Sequence, residues 1–202
     1  MRNFDYYEFT GYLLPGVILL LGLGQIPEAF VRAPYLVPDA TGEFGLYLVL
    51  AYVAGHFVQV IGQILKRWFW VVMRALPTDK PYDKRADPKY KPTYELTLRL
   101  TGEGTSSDKG DWGRRISILR SAANRTTGAN RLNIFNGTYG MFRGFLTVGL
   151  IGLSLAWAAD YEAGWAYLFV GIFTVAAAWR MRHFGHRYAT ELFAIARQED
   201  KM

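Results

Sequence analysis

One stretch of the chain, Phe44–Leu65, constrains the fold most, because it runs for 22 residues without a formal charge. A helix rises about 1.5 Å per residue, so this run is long enough to cross the roughly 30 Å hydrocarbon core of a bilayer. It is therefore predicted to be a membrane helix. Within it His56, Gln59 and Gln63 fall at positions i, i+3 and i+7, on one face of an otherwise apolar helix. Because polar groups are costly in lipid, this face is predicted to meet protein or water.

Two interpretations of this polar row stay open. His56, Gln59 and Gln63 could line a water-filled path where several copies or helices meet. They could instead form interhelical hydrogen bonds, worth about 0.6–2 kcal/mol each. Gly55 and Gly62 lie seven apart beside the row, which predicts that another backbone packs closely there.

Three further uncharged runs predict three more spans: Phe9–Pro27, Gly144–Ala159 and Ala163–Trp179. The last two hold only 16 and 17 residues, so the flanking Arg143 and Arg180 are expected to extend to the membrane interface. A chain of 202 residues that is 51% hydrophobic and 16% aromatic fits this multi-pass prediction.

The basic residues predict the orientation. Of the 23 Lys and Arg, 22 lie on the side of the N-terminus, and only Arg32 lies in a segment on the other side. Positive charge concentrates on the cytoplasmic side, so both termini are predicted to be cytoplasmic. The chain has no cysteine, which excludes disulfides, thiolate metal sites and a cysteine nucleophile.

The fold predicted from these patterns is an all-α membrane protein with four transmembrane helices, a small, mostly helical cytoplasmic insertion and an amphipathic C-terminal helix. Its parts are a first helix pair in residues 1–76, a basic insertion in 77–130, a second helix pair in 131–180 and a cytoplasmic tail in 181–202. Residues 130–142 are predicted to be helical and to lead directly into the third span. The tail is predicted to resume as helix after Gly185.

Local patterns differ along the insertion. Four prolines between residues 77 and 93 predict a linker that no regular helix passes through. Tyr94–Leu100 alternates apolar and polar residues, which predicts a short strand. Apolar residues then recur at helical spacing from Trp112, and Asp108 or Asp111 is positioned to cap that helix.

The insertion is also the predicted binding surface. Residues 77–142 hold 12 Lys or Arg against 7 Asp or Glu. Arginine binds phosphate through paired hydrogen bonds, and aromatic rings stack on bases, so a nucleotide or oligonucleotide signal is a candidate ligand. The alternative is the positive-inside rule combined with anionic lipid headgroups. The candidate signal-binding residues are Arg114, Arg115, Arg120, Arg125, Arg131 and Trp112.

Catalysis has no support in the sequence. His183 and His186 share a helix face, but Glu191 lies five residues further on and points away, and no HExxH pattern is present. Neither a P-loop nor a dinucleotide fingerprint occurs. We therefore predict no catalytic residue, no metal site, no cofactor and no enzymatic activity.

Three patches carry a resemblance to known proteins: Tyr-Leu-Leu-Pro-Gly at Tyr12–Gly16, Tyr-Gly-Met-Phe-Arg-Gly at Tyr139–Gly144, and Arg-Tyr-Ala-Thr-Glu-Leu-Phe at Arg187–Phe193. With them the chain resembles a loose group of small bacterial membrane effectors of anti-phage defence systems, including nucleotide-controlled systems such as CBASS and Hailong. The resemblance implies a homo-oligomer that permeabilises or depolarises the inner membrane once a nucleotide, or a soluble nucleotidyltransferase or sensor partner, signals infection. The alternative is a non-conducting membrane anchor that docks a soluble cytoplasmic partner.

Overall fold

The computed structural model describes residues 9–24, 41–72, 76–102, 108–158 and 164–200, and every regular element in these ranges is helical. The predicted all-α class is therefore confirmed for them. The residues outside these ranges include Pro27 at the end of the first predicted span, Arg32, and Ala159 at the end of the span predicted at Gly144–Ala159. A π-helical turn, Phe9–Leu13, leads into the first of seven α-helices among the described residues. These are α1 (Leu14–Gly24), α2 (Thr41–Val72), α3 (Lys80–Asp83), α4 (Lys91–Leu100), α5 (Lys109–Ala123), α6 (Ala129–Ala158) and α7 (Gly164–Glu199).

Three of these helices, α2, α6 and α7, are long and apolar enough to cross a membrane. The apolar stretch Phe9–Leu23 is shorter. Helix α6 runs without interruption from Ala129 to Ala158, which confirms that residues 130–142 lead directly into a span. The predicted restart after Gly185 is wrong, because α7 continues through this residue to Glu199. Glycine weakens a helix interior by about 1 kcal/mol, and here Gly185 is buried in a packed face.

The chain divides into two compact units. The membrane unit comprises Met1–Arg67 and Gly137–Arg182, and the basic unit comprises Trp68–Asn136 and His183–Met202. Large apolar side chains are exposed along the helices of the membrane unit, as expected of surfaces that face lipid. Examples are Phe57, Ile64, Trp165, Leu168, Phe169 and Val175.

The basic unit has its own hydrophobic core. Trp112 is completely buried, and the rings of Tyr82 and Tyr94 stack on it with centroids 5.9 and 5.5 Å away. Its indole Nε1 donates a hydrogen bond to the carbonyl of Thr78 at 3.0 Å. Leucine side chains from α4, α5, the start of α6 and the end of α7 complete the cluster, so four helices of this unit share one core: Leu96, Leu119, Leu132 and Leu192.

The strand predicted at Tyr94–Leu100 is wrong, because these residues form helix α4. Thr93, Leu96 and Thr97 are buried, and their spacing of three and four residues is that of one helix face. The linker prediction for residues 77–93 also needs correction, since α3 begins inside it and α4 starts at its end. Both helices carry a proline in the first turn, where its missing N–H costs nothing.

Helix α5 begins as the sequence predicts. Asp108 is extended, with φ −148° and ψ 178°, and its carboxylate accepts a hydrogen bond from the backbone N–H of Asp111 at 2.7 Å. A side chain that binds an otherwise unpaired N–H in the first turn stabilises a helix by about 1 kcal/mol. Of the two residues predicted as possible caps, Asp108 is the one that caps α5, and Asp111 lies in its first turn.

Candidate functional site

The three residues of the polar row have different environments on α2. Gln59 is buried, with 4% of its surface exposed. His56 and Gln63 are both exposed on the single chain. The row therefore has one member turned into the membrane unit and two at its surface.

The side-chain amide of Gln59 is fully hydrogen-bonded. Its Nε2 donates to the carbonyl oxygens of Gly11 and Gly140, the latter at 2.9 Å. Its Oε1 accepts from Nε of Arg143 at 2.9 Å and also from Nη2 of the same residue. An amide has two N–H donors and two acceptor lone pairs, so this environment satisfies all of them. Gln59 thereby connects the π-helical turn, α2 and α6.

Arg143 lies inside the membrane unit, where only 5% of its surface is exposed. Among the described residues its guanidinium bonds to the amide oxygen of Gln59, and no carboxylate forms an ion pair with it. The expectation that Arg143 extends to the interface is wrong, because a partner 84 residues away in the sequence holds it inside. Small residues at helical spacing around it, Gly140, Gly144 and Thr147, are the sequence signal that a neighbouring helix approaches here.

Glycines allow the close packing around this pair. A Cβ at Gly55 would overlap the backbone carbonyl of Tyr12. A Cβ at Gly62 would lie 2.9 Å from Oγ1 of Thr147 and 3.3 Å from Cγ of Arg143. The predicted close approach of another backbone at Gly55 is therefore confirmed, and at Gly62 the neighbours are side chains.

The two exposed members of the row lie on an apolar surface. The His56 ring stacks on Tyr12 with centroids 4.1 Å apart and meets the edge of Tyr52 at 4.7 Å. Gln63 makes no hydrogen bond with any part of the chain that the structure describes. Exposed apolar side chains such as Val60 and Ile64 surround it. An amide and an imidazole thus face outward from a helix that is long and apolar enough to span a membrane.

The predicted signal-binding residues divide into buried and exposed members. Trp112 stacks with two neighbouring tyrosine rings and belongs to the core of the basic unit. Arg115 is buried as well, with Nε donating to Oδ2 of Asp111 at 3.0 Å and Nη1 to Oγ1 of Thr101 at 2.9 Å. These two side chains stabilise the unit from inside.

The other four arginines are exposed. Arg114 pairs with Asp111 at 3.1 Å, and Arg131 pairs with Glu191 at 3.4 Å. Arg120 lies 6.0 Å from the ring centre of Tyr188, and Arg125 is on the same unit. Of the four, Arg114 and Arg131 are thus engaged by carboxylates, whereas Arg120 and Arg125 form no ion pair among the described residues. Within the described ranges, no three His, Cys, Asp or Glu residues are grouped so that they could hold a metal ion.

Comparisons with known proteins identify no relative. No protein-family model matches the chain, and neither the curated proteins nor the solved structures give a match. The class that the helices themselves define is a helical membrane protein. Its function must be argued from its own residues.

Proposed function

We propose that the protein is a homo-oligomeric, multi-pass membrane protein in which the exposed polar side chains of α2 line a water-filled, ion-conducting path. The observation that carries this proposal is the exposure of His56 and Gln63 on an apolar, membrane-length helix. A polar group left without a hydrogen bond in hydrocarbon costs several kcal/mol. A partner copy or water at this face removes that cost.

A ring of identical copies is the simplest assembly that brings the His56 and Gln63 face of each α2 helix to a common axis. Homo-oligomers usually close with cyclic symmetry, which places the same helix face of every copy around one axis. His56 and Gln63 are separated by two helical turns on nearly the same side of α2, so one rotation brings both toward that axis. The Gln59–Arg143 hydrogen bond joins α2 to α6 and does not involve His56 or Gln63. These two side chains are therefore left to face the proposed path.

The proposed topology has four spans with both termini cytoplasmic. The π-helical turn and α1 form the short first span, and α2, α6 and α7 form the others. The distribution of Lys and Arg supports this orientation. In this arrangement the basic unit is cytoplasmic, and its exposed arginines Arg114, Arg120, Arg125 and Arg131 receive a nucleotide signal or a soluble sensor. The role as an inner-membrane effector of anti-phage defence rests on the resemblance of the three sequence patches.

The absence of cysteine makes the proposed path testable. Gln63→Cys and His56→Cys introduce single thiols on the proposed wall, whereas Ile61→Cys places a thiol on the exposed face of α2 roughly 140° to 160° away. In reconstituted bilayers, a water-soluble thiol reagent should block current through the first two variants and leave the third unaffected. Equal sensitivity of all three, or a blocked Ile61→Cys alone, would refute the path.

A second candidate is a non-conducting anchor, and the separate core of the basic unit favours it. A unit with its own buried aromatic cluster and an exposed basic surface is suited to docking a soluble acidic partner. Vesicles distinguish the two functions. Purified protein that leaves an ion gradient intact under every condition that permits signal binding supports the anchor, whereas dissipation of the gradient supports the path.

A further inference from the structure

The basic unit contains a cavity of about 300 Å³ between α3, the start of α4 and the last turns of α7. Four of the residues that line it are Lys, Arg or His, and no Asp or Glu is among the lining residues. The basic side chains are Lys80, Lys89 and Arg197, with His186 as the imidazole. The predicted signal-binding arginines of α5 do not line it.

Arg197 is positioned at the wall by a hydroxyl group. Its Nη2 donates to Oγ1 of Thr93 at 2.9 Å, and Thr93 is itself buried in α4. A guanidinium has five N–H donors, so this bond fixes its direction and leaves the other N–H groups for a ligand. No carboxylate of the described residues forms an ion pair with Arg197.

Lys89 also lines the cavity. Its backbone N–H donates to Oδ1 of Asp87 at 2.9 Å, which fixes the turn that carries it. Its Nζ lies 5.6 Å from the ring centre of Tyr90, another residue of the lining. Within the described part of the chain, no carboxylate lies within ion-pair distance of this ammonium group. Arg197 and Lys89 therefore contribute two cations to the lining of the same cavity.

Three carboxylates close in sequence to the lining residues pair with cations that do not line the cavity, whereas Asp87 accepts the backbone N–H of Lys89. Lys109 pairs with Asp79 at 3.5 Å and with Asp83 at 3.6 Å. Arg131 pairs with Glu191 on α7. Because these acids are engaged by Lys109 and Arg131, they compensate little of the charge of Lys89 and Arg197. The lining of the cavity is therefore basic, and the hydroxyl group of Thr93 lies beside Arg197.

We propose that this cavity binds a phosphate group, with Lys89 and Arg197 as the charged contacts. Arginine suits phosphate because its planar donors bind two oxygens at once. Ligand pockets usually measure about 300–1,000 Å³, so this one accommodates a single small phosphate-bearing group such as a mononucleotide or a lipid headgroup, and not an oligonucleotide. The site is separate from the α5 arginines and does not depend on ion conduction.

Binding is tested on the full-length protein in neutral detergent by calorimetric titration with adenosine monophosphate and, separately, with a short-chain phosphatidic acid. The double variant Lys89→Ala/Arg197→Ala should weaken the affinity for the bound probe about tenfold or more, because two charge-assisted contacts are lost. The matched control Lys84→Ala/Arg187→Ala removes the same charge from exposed side chains of the same unit that do not line the cavity, and it should change the affinity less than about twofold.

Two outcomes support the site and identify the source of its phosphate-bearing ligand. Binding of the nucleotide alone assigns a soluble ligand, and binding of the lipid alone assigns a headgroup. Failure of both probes to bind overturns the proposal, as does an equal loss of affinity in the two double variants. If Arg197→Ala disturbs folding through Thr93, the single variant Lys89→Ala answers the question, because this exposed side chain makes no ion pair among the described residues.

Discussion

Replacing Gln59 with leucine removes the acceptor that Arg143 contacts within the membrane unit. The guanidinium would keep its burial at 5% exposure and lose both of its hydrogen bonds to the amide oxygen. A hydrogen bond to a charged group contributes about 1.5–3 kcal/mol, and leaving that group buried without its partner costs more than it does for a neutral group. Hydrogen bonds between neutral groups in membrane proteins contribute only about 0.6–1.7 kcal/mol, so the loss of the two bonds to the charged guanidinium dominates the effect. We expect Gln59→Leu to destabilise the protein by about 3 kcal/mol or more.

The chain supplies a matched control one helical turn away. Gln63→Leu makes the same chemical change on α2, at an exposed side chain without a hydrogen bond in the described residues. Its effect on the free energy of unfolding of the monomer should stay within about 0.5 kcal/mol. The comparison therefore isolates the buried contacts of Gln59 from any general effect of adding an apolar side chain.

Reversible unfolding in mixed micelles measures both variants, together with Arg143→Leu and the double variant Gln59→Leu/Arg143→Leu. Replacing both partners by apolar residues removes the unpaired cation, so the double variant should be more stable than Gln59→Leu alone. Equal stability of Gln59→Leu and Gln63→Leu would refute the reasoning. So would a double variant whose losses simply add.

Further predictions concern packing, the basic unit and topology. Gly55→Ala should destabilise the protein by about 1–3 kcal/mol because the methyl group overlaps a backbone carbonyl, whereas Gly45→Ala, with open space around it, should be neutral or stabilising in the same unfolding assay. Trp112→Ala should cost about 3–5 kcal/mol and abolish the near-ultraviolet circular dichroism of the basic unit. Burial raises the pKa of Asp79, so the folded protein binds a proton at this carboxyl group more tightly than the unfolded chain does. The stabilisation that results is complete below the ordinary pKa near 3.8 and is lost as the pH rises through the raised pKa. Relative to Asp79→Asn, the wild type should therefore gain stability as pH falls from neutrality toward 4. A reporter fused after Pro38 should be periplasmic and one fused at the C-terminus cytoplasmic; a cytoplasmic reporter at Pro38 would contradict the topology.

Several features follow from the sequence alone because their causes are local. An uncharged run of 22 residues can cross a bilayer whatever its neighbours are, and α2 is indeed long and apolar enough to do so. Asp108 caps α5 because the bond joins residues three apart. Gly55 indicated that another backbone packs closely against α2, because a glycine in a membrane helix commonly allows such an approach.

Other features depend on partners far away in the chain. The alternating residues at Tyr94–Leu100 fit a strand or a helix, and burial of Leu96 and its neighbours against the core of the basic unit selects the helix. Trp112 is internal because two tyrosine rings cover it.

The same holds for the polar groups. Gln59 and Arg143 are 84 residues apart, and Thr93 and Arg197 are 104 apart. A polar side chain is stable inside the protein only where a complementary group meets it. Tertiary packing, which alone brings such partners together, therefore decided which of these side chains are buried and which remain exposed.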